Sequence, residues 1–559
     1  MADSDNHSEG NGNDDDDDML HEMDEEIADT SEGSHDVVKM QTEHIKQLRE
    51  CMFKYSLKLR EKYLLPASTH ADIVADCKSL VNSVLTCHND VISCHLENKG
   101  YDIHSDNDLV RNILDTGKYD RLWSGCETSY KLQQNCSQLL GMIKPVQHTV
   151  SGYKNYYIPL TDILTMLVKK DDIMPMVLQS PLLHDESHLT GFTSGDAFLS
   201  MKLLMNDCHW LLIHLYNDEF EVVNPIGAKR GKHKLNATYF TLGNLPAKFR
   251  SSLQHIHLVN VVKHKAVNES GYSAVFAPLV DELQKLYSEG FTVTLANSHT
   301  EKFRAVLCTV SGDNLSSHAL AGFRAVFNSG HVCRMCMIAH DELANCDSNV
   351  TLRNAANHAY HLQAVKENCE NAAIYGVNGP SVFAALEYFD VTQGFPPDVM
   401  HDCMEGVIPV ITGAIVKLMV MEKITTVTVF NKRLAAFIFK GAESKTKPEP
   451  LRNDCHIVGS ASQKLCLFQF LPFLADLEQC PTAVRLYTLA REVMSYALSR
   501  CISRNDLDYF EQKIISLREC IRDDFPQISI TPKFHYLVHY PAMNDGPIWS
   551  SAGCLVHEV

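Results

Sequence analysis

Two kinds of metal chemistry lie close together near the middle of this chain. An apolar run, Val306–Val310, ends at Gly312-Asp313-Asn314, and Cys333-Arg-Met-Cys336 follows twenty residues after Asp313. A carboxylate at a strand end can hold a hard cation such as Mg²⁺. A C-x-x-C pair supplies half of a tetrahedral Zn²⁺ site, and this is the only such pair in the sequence. A second acid, Asp218, follows another strand-like run, Trp210–Tyr216. In two-metal phosphoryl transfer, carboxylates from separate strands hold two cations about 4 Å apart, which activate a water or a 3′-hydroxyl and stabilise the leaving oxygen. Asp218 and Asp313 can do this only if two central strands end side by side.

The other half of a zinc site needs two more Cys or His. Two pairs compete, His358-x-x-His361 and His535-x-x-x-His539. On a helix an i, i+4 pair points both rings the same way. A third dense segment is FPPDVMHDCMEG, where Asp398, His401, Asp402 and Glu405 fall at helical spacing after Pro396-Pro397. Asp398 fits a helix N-cap; with His401 it could instead support an active site from a neighbouring helix. A basic stretch with Lys229, Arg230, Lys232 and Lys234, followed by Arg250, suits phosphate contacts or a nuclear import signal.

The elements that must position these groups follow from hydrophobic periodicity. Trp210–Tyr216 reads as a strand, Asn217–Glu219 as a turn, and Phe220–Pro225 as the returning strand of a hairpin. Ile256–Lys263 is a third strand, Ser273–Ser288 a helix, Phe291–Ala296 and Phe303–Val310 two more strands, and Ser316–Phe327 another helix. Three strands, a helix, strands carrying an acid, then a helix is the order of an α/β RNase H-like core. Residues 37–100 read as two helices separated by Pro66, and 120–200 as mixed, with a short helix near Leu160–Lys169. Residues 350–530 are largely helical, in segments Ala372–Phe389, Val407–Met421, Thr426–Lys440, Ser460–Leu474, Ala483–Ile502 and Asn505–Phe525.

Composition sets the outer limits. The 559 residues are 45% apolar, enough for several packed units. The net charge of -19 is local: positions 1–36 hold fifteen Asp or Glu and no Lys or Arg, and the remainder carries 50 basic against 54 acidic residues. The low overall charge therefore does not exclude nucleic-acid binding, and the acidic tail is expected to be disordered. No secretory signal is expected at this acidic N-terminus. Gly406–Met421, the most apolar run, is too short for a membrane span and contains Lys417. Nineteen irregularly spaced cysteines suit a reducing compartment.

Taken together, the blocks LYNDEFEVVNPIGAKRGKHKLNATYFTLGNLPAKFRSSL, SGDNLSSHALAGF, CRMC, FPPDVMHDCMEG and KFHYLVHYPAMNDGPIW resemble animal CACTA-type (En/Spm-like) DDE/D transposases. The resemblance spans about 200–550, some 60% of the chain. It implies an RNase H-like catalytic core interrupted by an all-α insertion domain and preceded by a helical N-terminal region and the disordered acidic tail. The divisions expected are a tail at 1–36, a helical region at 37–140, a mixed connector at 141–204, the first part of the core at 205–340, the insertion at 341–530, and a return to the core at 531–559. It further implies Mg²⁺-dependent (or Mn²⁺-dependent) cleavage of transposon ends and strand transfer into target DNA by a nuclear, self-associating protein. Asp218 becomes the first catalytic acid, with Glu219 and Glu221 as weaker substitutes, and Asp313 the second. Asp398 and His401 match a D-x-x-H signature between the second and third acids. The V(D)J recombinase, similar by fold, pairs its C-x-x-C with two His shortly before the third acid; that layout favours His535 and His539 as the partners of Cys333 and Cys336 around a structural Zn²⁺. The third acid is expected after an aromatic residue. Counting from Gly546-Pro547, that place falls on His557, with Glu558 next to it and Val559 the last residue, which suggests a truncated product. The alternative expectation is a domesticated, non-catalytic DNA- or chromatin-binding protein derived from such an enzyme.

Overall fold

The computed structural model describes residues 32–544, apart from 103–120, 127, 180–186, 197, 199, 200, 202–204, 206, 207, 222–232, 251, 296, 297 and 346–349. The tail before residue 32, Lys229, Arg230, Lys232 and Glu558 lie outside the described residues. Two compact units divide the chain, Met1–Lys144 and Pro145–Val559.

The first unit is helical. α1 (Glu32–Leu57) and α2 (Ala67–Asn98) are separated at Pro66, whose missing N–H and fixed φ suit a helix start. α3 (Ser129–Leu139) is capped by the Thr128 hydroxyl, which accepts from the Lys131 N–H. Phe53, Val74, Leu122, Trp123, Leu132, Cys126 and Cys136 form its core.

The second unit is mixed α/β. Its sheet contains β1 (Val146–Val150), β2 (Tyr153–Tyr157), β3 (His209–Glu221), β4 (Lys234–Leu242), β5 (His257–Lys263), β6 (Phe291–Thr294) and β7 (Thr300–Gly312), in the order β1-β2-β5-β4-β3-β7-β6. β3 and β7 run parallel; the other neighbours are antiparallel. Leu211, Leu212, Ile213 and Leu215 of β3 and Ala305, Val306, Leu307 and Val310 of β7 are fully buried. Such near-continuous apolar runs belong to strands covered on both faces. α4 (Leu160–Val168) and α5 (His264–Ser288) pack beside the sheet; α5 breaks at Gly271, which takes φ 73°. The stretch 141–204, expected as a connector, thus supplies β1, β2 and α4 to this unit.

The hairpin differs from its expected form. Asn217–Glu219 do not turn: β3 continues through them to Glu221, and its return strand is β4. The reason is Asn217. Its buried amide donates to Asn236 Oδ1, Thr238 Oγ1 and the Ala237 carbonyl across the ladder, so a polar residue that suggests a turn is satisfied inside the sheet. Asp218 therefore sits within a strand.

α6 (Asn314–Ala321) ends at Gly322 (φ 80°), where a Cβ would lie 2.2 Å from the Gly379 carbonyl; the helix expected to reach Phe327 stops six residues sooner. Beyond α7 (Ala355–Glu367), the helix expected over Ala372–Phe389 exists only at Asn371–Tyr375. Gly376 (φ 69°) closes it, and Gly379-Pro380 prevents its resumption. The later helices are α8 (Ile408–Met421), α9 (Val427–Ala436), α10 (Ala461–Leu474), α11 (Pro481–Ala497), α12 (Leu507–Asp524) and α13 (Pro532–Tyr536). Met400–Met421 is long and apolar enough to cross a membrane; here Ile408, Ile411, Ile415, Val416 and Met419 face a core built with α9–α13. That same core takes in Val332–Cys336 and Phe534–Tyr540, so the C-x-x-C segment and the C-terminal His pair are packed as one body.

Candidate active site and metal centre

Parallel pairing sets the acids. β3 and β7 are in register at Tyr216 with Ser311 and Asn217 with Gly312, so the next step places Asp218 opposite Asp313. Only glycine fits at 312, because a Cβ there would lie 2.6 Å from the Asn217 carbonyl. Asp313 leaves the strand and caps α6, its Oδ1 accepting from the Ser316 N–H at 2.6 Å. Asp218 Oδ1 accepts from the Glu219 N–H at 2.8 Å, and Oδ2 lies 3.5 Å from the Tyr216 hydroxyl. Glu219 is engaged elsewhere, in an ion pair with Lys234, while its Oε2 lies 3.1 Å from His264 Nδ1.

Asp398 stands just before the π-helical segment Met400–Val407, which carries His401 and runs on into α8. Asp398 Oδ1 accepts from the Met400 N–H at 2.8 Å, and Oδ2 lies 3.2 Å from His401 Nδ1. Asp398 thus caps the start of that helix and holds the imidazole at once. Burial opposes a charge on either group, but their mutual contact prevails: the Asp398 carboxyl is held below its ordinary range, and His401 is raised to about 9, with Asp313 and Asp218 adding to the rise. The Tyr216 phenol is pushed up by burial and then by Asp398, Asp218 and Asp313. The charges of Asp218, Asp313 and Asp398 thus act on both Tyr216 and His401.

Behind this spot lies a buried strut. Arg334, between the two cysteines, donates from Nε to the Phe395 carbonyl at 2.8 Å, and from its two terminal nitrogens to Asn314 Oδ1 at 2.8 Å and the Pro396 carbonyl at 2.7 Å. Its guanidinium also stacks over Tyr536, 5.1 Å from the ring centre. Asn314 in turn donates to Asp402 Oδ1 at 2.6 Å, while Asp402 Oδ2 has no hydrogen-bond partner among the described residues. Burial drives the Asp402 carboxyl up to about 7, against the pull of Arg334. The folded chain therefore binds this proton more tightly than the unfolded chain, and stability falls as pH rises from about 4 through about 7. Asp402→Asn, neutral at every pH, is expected to flatten that slope. Denaturant unfolding at pH 5 and pH 8 should show the variant more stable than the parent at pH 8 by on the order of 3 kcal/mol; an unchanged slope would remove Asp402 as its source.

The metal centre is more sharply defined. The ligand atoms of Cys333, Cys336, His535 and His539 all lie within 4.8 Å of one another, and all four residues are buried. Cys336 Sγ is 3.2 Å from His535 Nε2, Cys333 Sγ is 3.5 Å from His539 Nε2, and the two Nε2 atoms are 3.1 Å apart. Zn–S and Zn–N bonds in a regular tetrahedron imply S···N edges of about 3.5 Å and N···N edges of about 3.3 Å, so the donor set fits. Its protonation fits too. Burial opposes a Cys333 thiolate, but bonds from Cys336 and both imidazoles bring its pKa well below the ordinary value. The Cys336 thiol, sharing that proton and buried, is raised. Zn²⁺ held by these four side chains would take the place of the shared proton. The Met335 N–H donates to Cys333 Sγ at 3.3 Å, and Arg353 Nε bridges the Cys333 and Cys336 carbonyls at 3.2 Å each, fixing the turn.

The competing pair lies elsewhere. His358 packs against Phe323 and His361 stacks on Tyr375 at 4.5 Å; burial lowers the pKa of both. Of the basic residues, Lys234 is tied to Glu219 and Arg250 is only 5% exposed, its guanidinium lowered to about 10 by burial, so Arg250 offers no surface contact to a phosphate. The sequence reading missed Arg334, Asn314 and Tyr216. Arg334 carried a signal, as a large cation inside the C-x-x-C of a segment otherwise apolar on both sides.

A scan of protein-family models and a search of curated proteins returned no match to this chain.

Proposed function

We propose that this chain is a DNA transposase of the cut-and-paste type, similar to the CACTA-type DDE/D enzymes, in which Asp218 and Asp313 bind catalytic Mg²⁺ (or Mn²⁺) and the Cys₂His₂ centre binds structural Zn²⁺. The observation that carries the reading is the parallel register of β3 and β7, which sets Asp218, inside β3, beside Asp313, just past the carboxyl end of β7. Further support comes from the order β5-β4-β3-β7, with β3 and β7 parallel and α5 between β5 and β7 in sequence, as in an RNase H-like core. In this reading residues 341–530, with α7–α12, form the insertion domain.

Bound cations would activate a water or 3′-hydroxyl and stabilise the leaving oxygen. The chain's own residues prepare the place. Asp313 is oriented by its cap bond to Ser316, and Asp218 by the Glu219 N–H. His401, kept protonated by Asp398, offsets the repulsion among the carboxylates until cations arrive. Transposon ends and target DNA are the substrates, copies of the chain the partners, and the nucleus the place of action.

The test is nicking of DNA that carries the terminal repeats of the parent element, with Mg²⁺ or Mn²⁺ present. Asp313→Asn keeps an N-capping side chain and removes the charge, so it should fold normally and lose roughly a thousand-fold or more in nicking rate. Nicking that persists in this variant overturns the assignment. Tight binding to end DNA without nicking by the parent chain would instead assign a non-catalytic DNA-binding role.

A further inference from the structure

The histidine pair that the cysteines leave unused belongs to a second cluster of buried basic groups. His358 and His361, on α7, are 6% and 7% exposed, and Arg353, just before the α7 cap at Asn354, is 4% exposed. Arg353 donates from Nε to the Cys333 and Cys336 carbonyls and from Nη2 to the Tyr375 carbonyl at 2.9 Å. Its Nη1 has no hydrogen-bond partner among the described residues, and neither do both ring nitrogens of His358 or Nδ1 of His361 and His331. Buried polar atoms are normally bonded, to protein or to something held beside them. These side chains adjoin. Phe323 packs against the Arg353 guanidinium, 5.0 Å from the ring centre, and against His358, with 5.1 Å between ring centres. Tyr375 stacks on His361 and holds Arg353 through its carbonyl. At Gly376 a Cβ would meet His331 Cβ at 2.8 Å and Arg353 Nη2 at 3.0 Å. Arg324 stands nearby, its Nη1 3.5 Å from where a Cβ of Gly330 would lie.

Charge selects the class of ligand. A guanidinium among the imidazoles repels a metal cation and attracts an anion. Burial, and then Arg353, lower the pKa of His358 to about 4 and also lower that of His361, so both rings are neutral near pH 7. Asp390, whose charge acts on His358, is already taken up by the Thr392 N–H at 2.9 Å and the Thr392 hydroxyl at 2.8 Å. A neutral imidazole carries one N–H and one lone pair. Arg353 therefore offers donors only, and each ring offers a donor and an acceptor. Hydrogen phosphate matches this mixture, because its P–O oxygens accept and its P–OH donates; sulfate only accepts. We propose that Arg353, His331, His358 and His361 bind one inorganic phosphate ion. The depth of these nitrogens suits a free ion rather than a phosphate within a nucleic-acid chain. The ion ties α7 to the C-x-x-C turn, which Arg353 already holds through two carbonyls.

The test is titration calorimetry of the full, zinc-loaded chain with inorganic phosphate at constant ionic strength in a chloride buffer. About one equivalent should bind, with Kd about 1 mM or lower, and sulfate should bind about ten-fold or more weakly. His358→Leu keeps an apolar contact for Phe323, and His361→Gln keeps a polar side chain of similar length. Each should weaken phosphate binding about ten-fold or more while the zinc content stays that of the parent. The second variant keeps the test open if the first does not fold. No phosphate binding by the parent overturns the proposal. So does binding that neither substitution weakens, which would be an adventitious ion only. A further equivalent of zinc in the parent, lost in His358→Leu, would mean a metal site and overturn the anion. The site uses none of the acids, so Asp313→Asn protein should bind phosphate as the parent does, whatever becomes of the catalytic reading.

Discussion

Cys336→Ser protein should be recovered with less than about a tenth of the zinc of the parent chain and should melt about 10 °C lower or more. The geometry gives the reason. The centre joins two segments about two hundred residues apart, Cys333–Cys336 and His535–His539, and both are walls of the core that holds α8–α13 together. Closing so long a loop through a metal strongly restricts the unfolded chain. Removing one thiolate leaves a cation with three ligands in a dry site and loses most of its binding energy, which in small zinc-dependent folds reaches roughly 10 kcal/mol. His358→Ala serves as the control: it deletes a member of the competing pair, which packs against Phe323 rather than the cysteines, so its zinc content should equal the parent's. Metal analysis of the two proteins decides the matter. Full zinc in Cys336→Ser, or loss in His358→Ala, would overturn the assignment of the centre.

How much of this was legible beforehand depends on what kind of signal each residue carried. The strands of the sheet stood out because both faces are buried, so Trp210–Tyr216 and Val306–Val310 are apolar apart from His214 and Thr309, which bond to each other. β1 and β2 were not legible, since only Val150, Asn155 and Tyr157 of these strands are buried and the rest reads as polar loop. The turn expected at Asn217 failed because a side chain's cross-strand partners cannot be read from its own position. The four metal ligands were legible as types and spacings, but the choice between two His pairs rested on long-range packing that local pattern does not encode. The same holds for Arg250, whose charge suggested a surface and whose surroundings bury it.

Arg334→Lys is the substitution that asks whether the metal centre and the acid cluster work as one body. Arg334 is 1% exposed, and its planar fork serves three acceptors at once: the Phe395 and Pro396 carbonyls and the Asn314 side chain. The first two lead into Asp398 and the helical segment bearing His401; the third neighbours Asp313. A lysine keeps the positive charge near Asp402 but, as a compact point charge on a flexible stem, cannot reach all three acceptors in their fixed geometry. Buried acceptors left without donors cost about 1–3 kcal/mol each, so a loss of roughly 3–5 kcal/mol is expected; Arg334→Met, which also removes the charge opposite Asp402, should lose at least as much. Neither variant removes a zinc ligand, so both should retain stoichiometric zinc wherever they are folded. The discriminating measurement is divalent-cation affinity at the acids, read by titration calorimetry with Mn²⁺ on zinc-loaded protein. If Arg334 is the strut, folded Arg334→Lys binds Mn²⁺ about ten-fold or more weakly, because the turn of Asp398 and the cap of Asp313 lose their common anchor. Unchanged Mn²⁺ affinity with unchanged stability would mean that the two centres are merely adjacent.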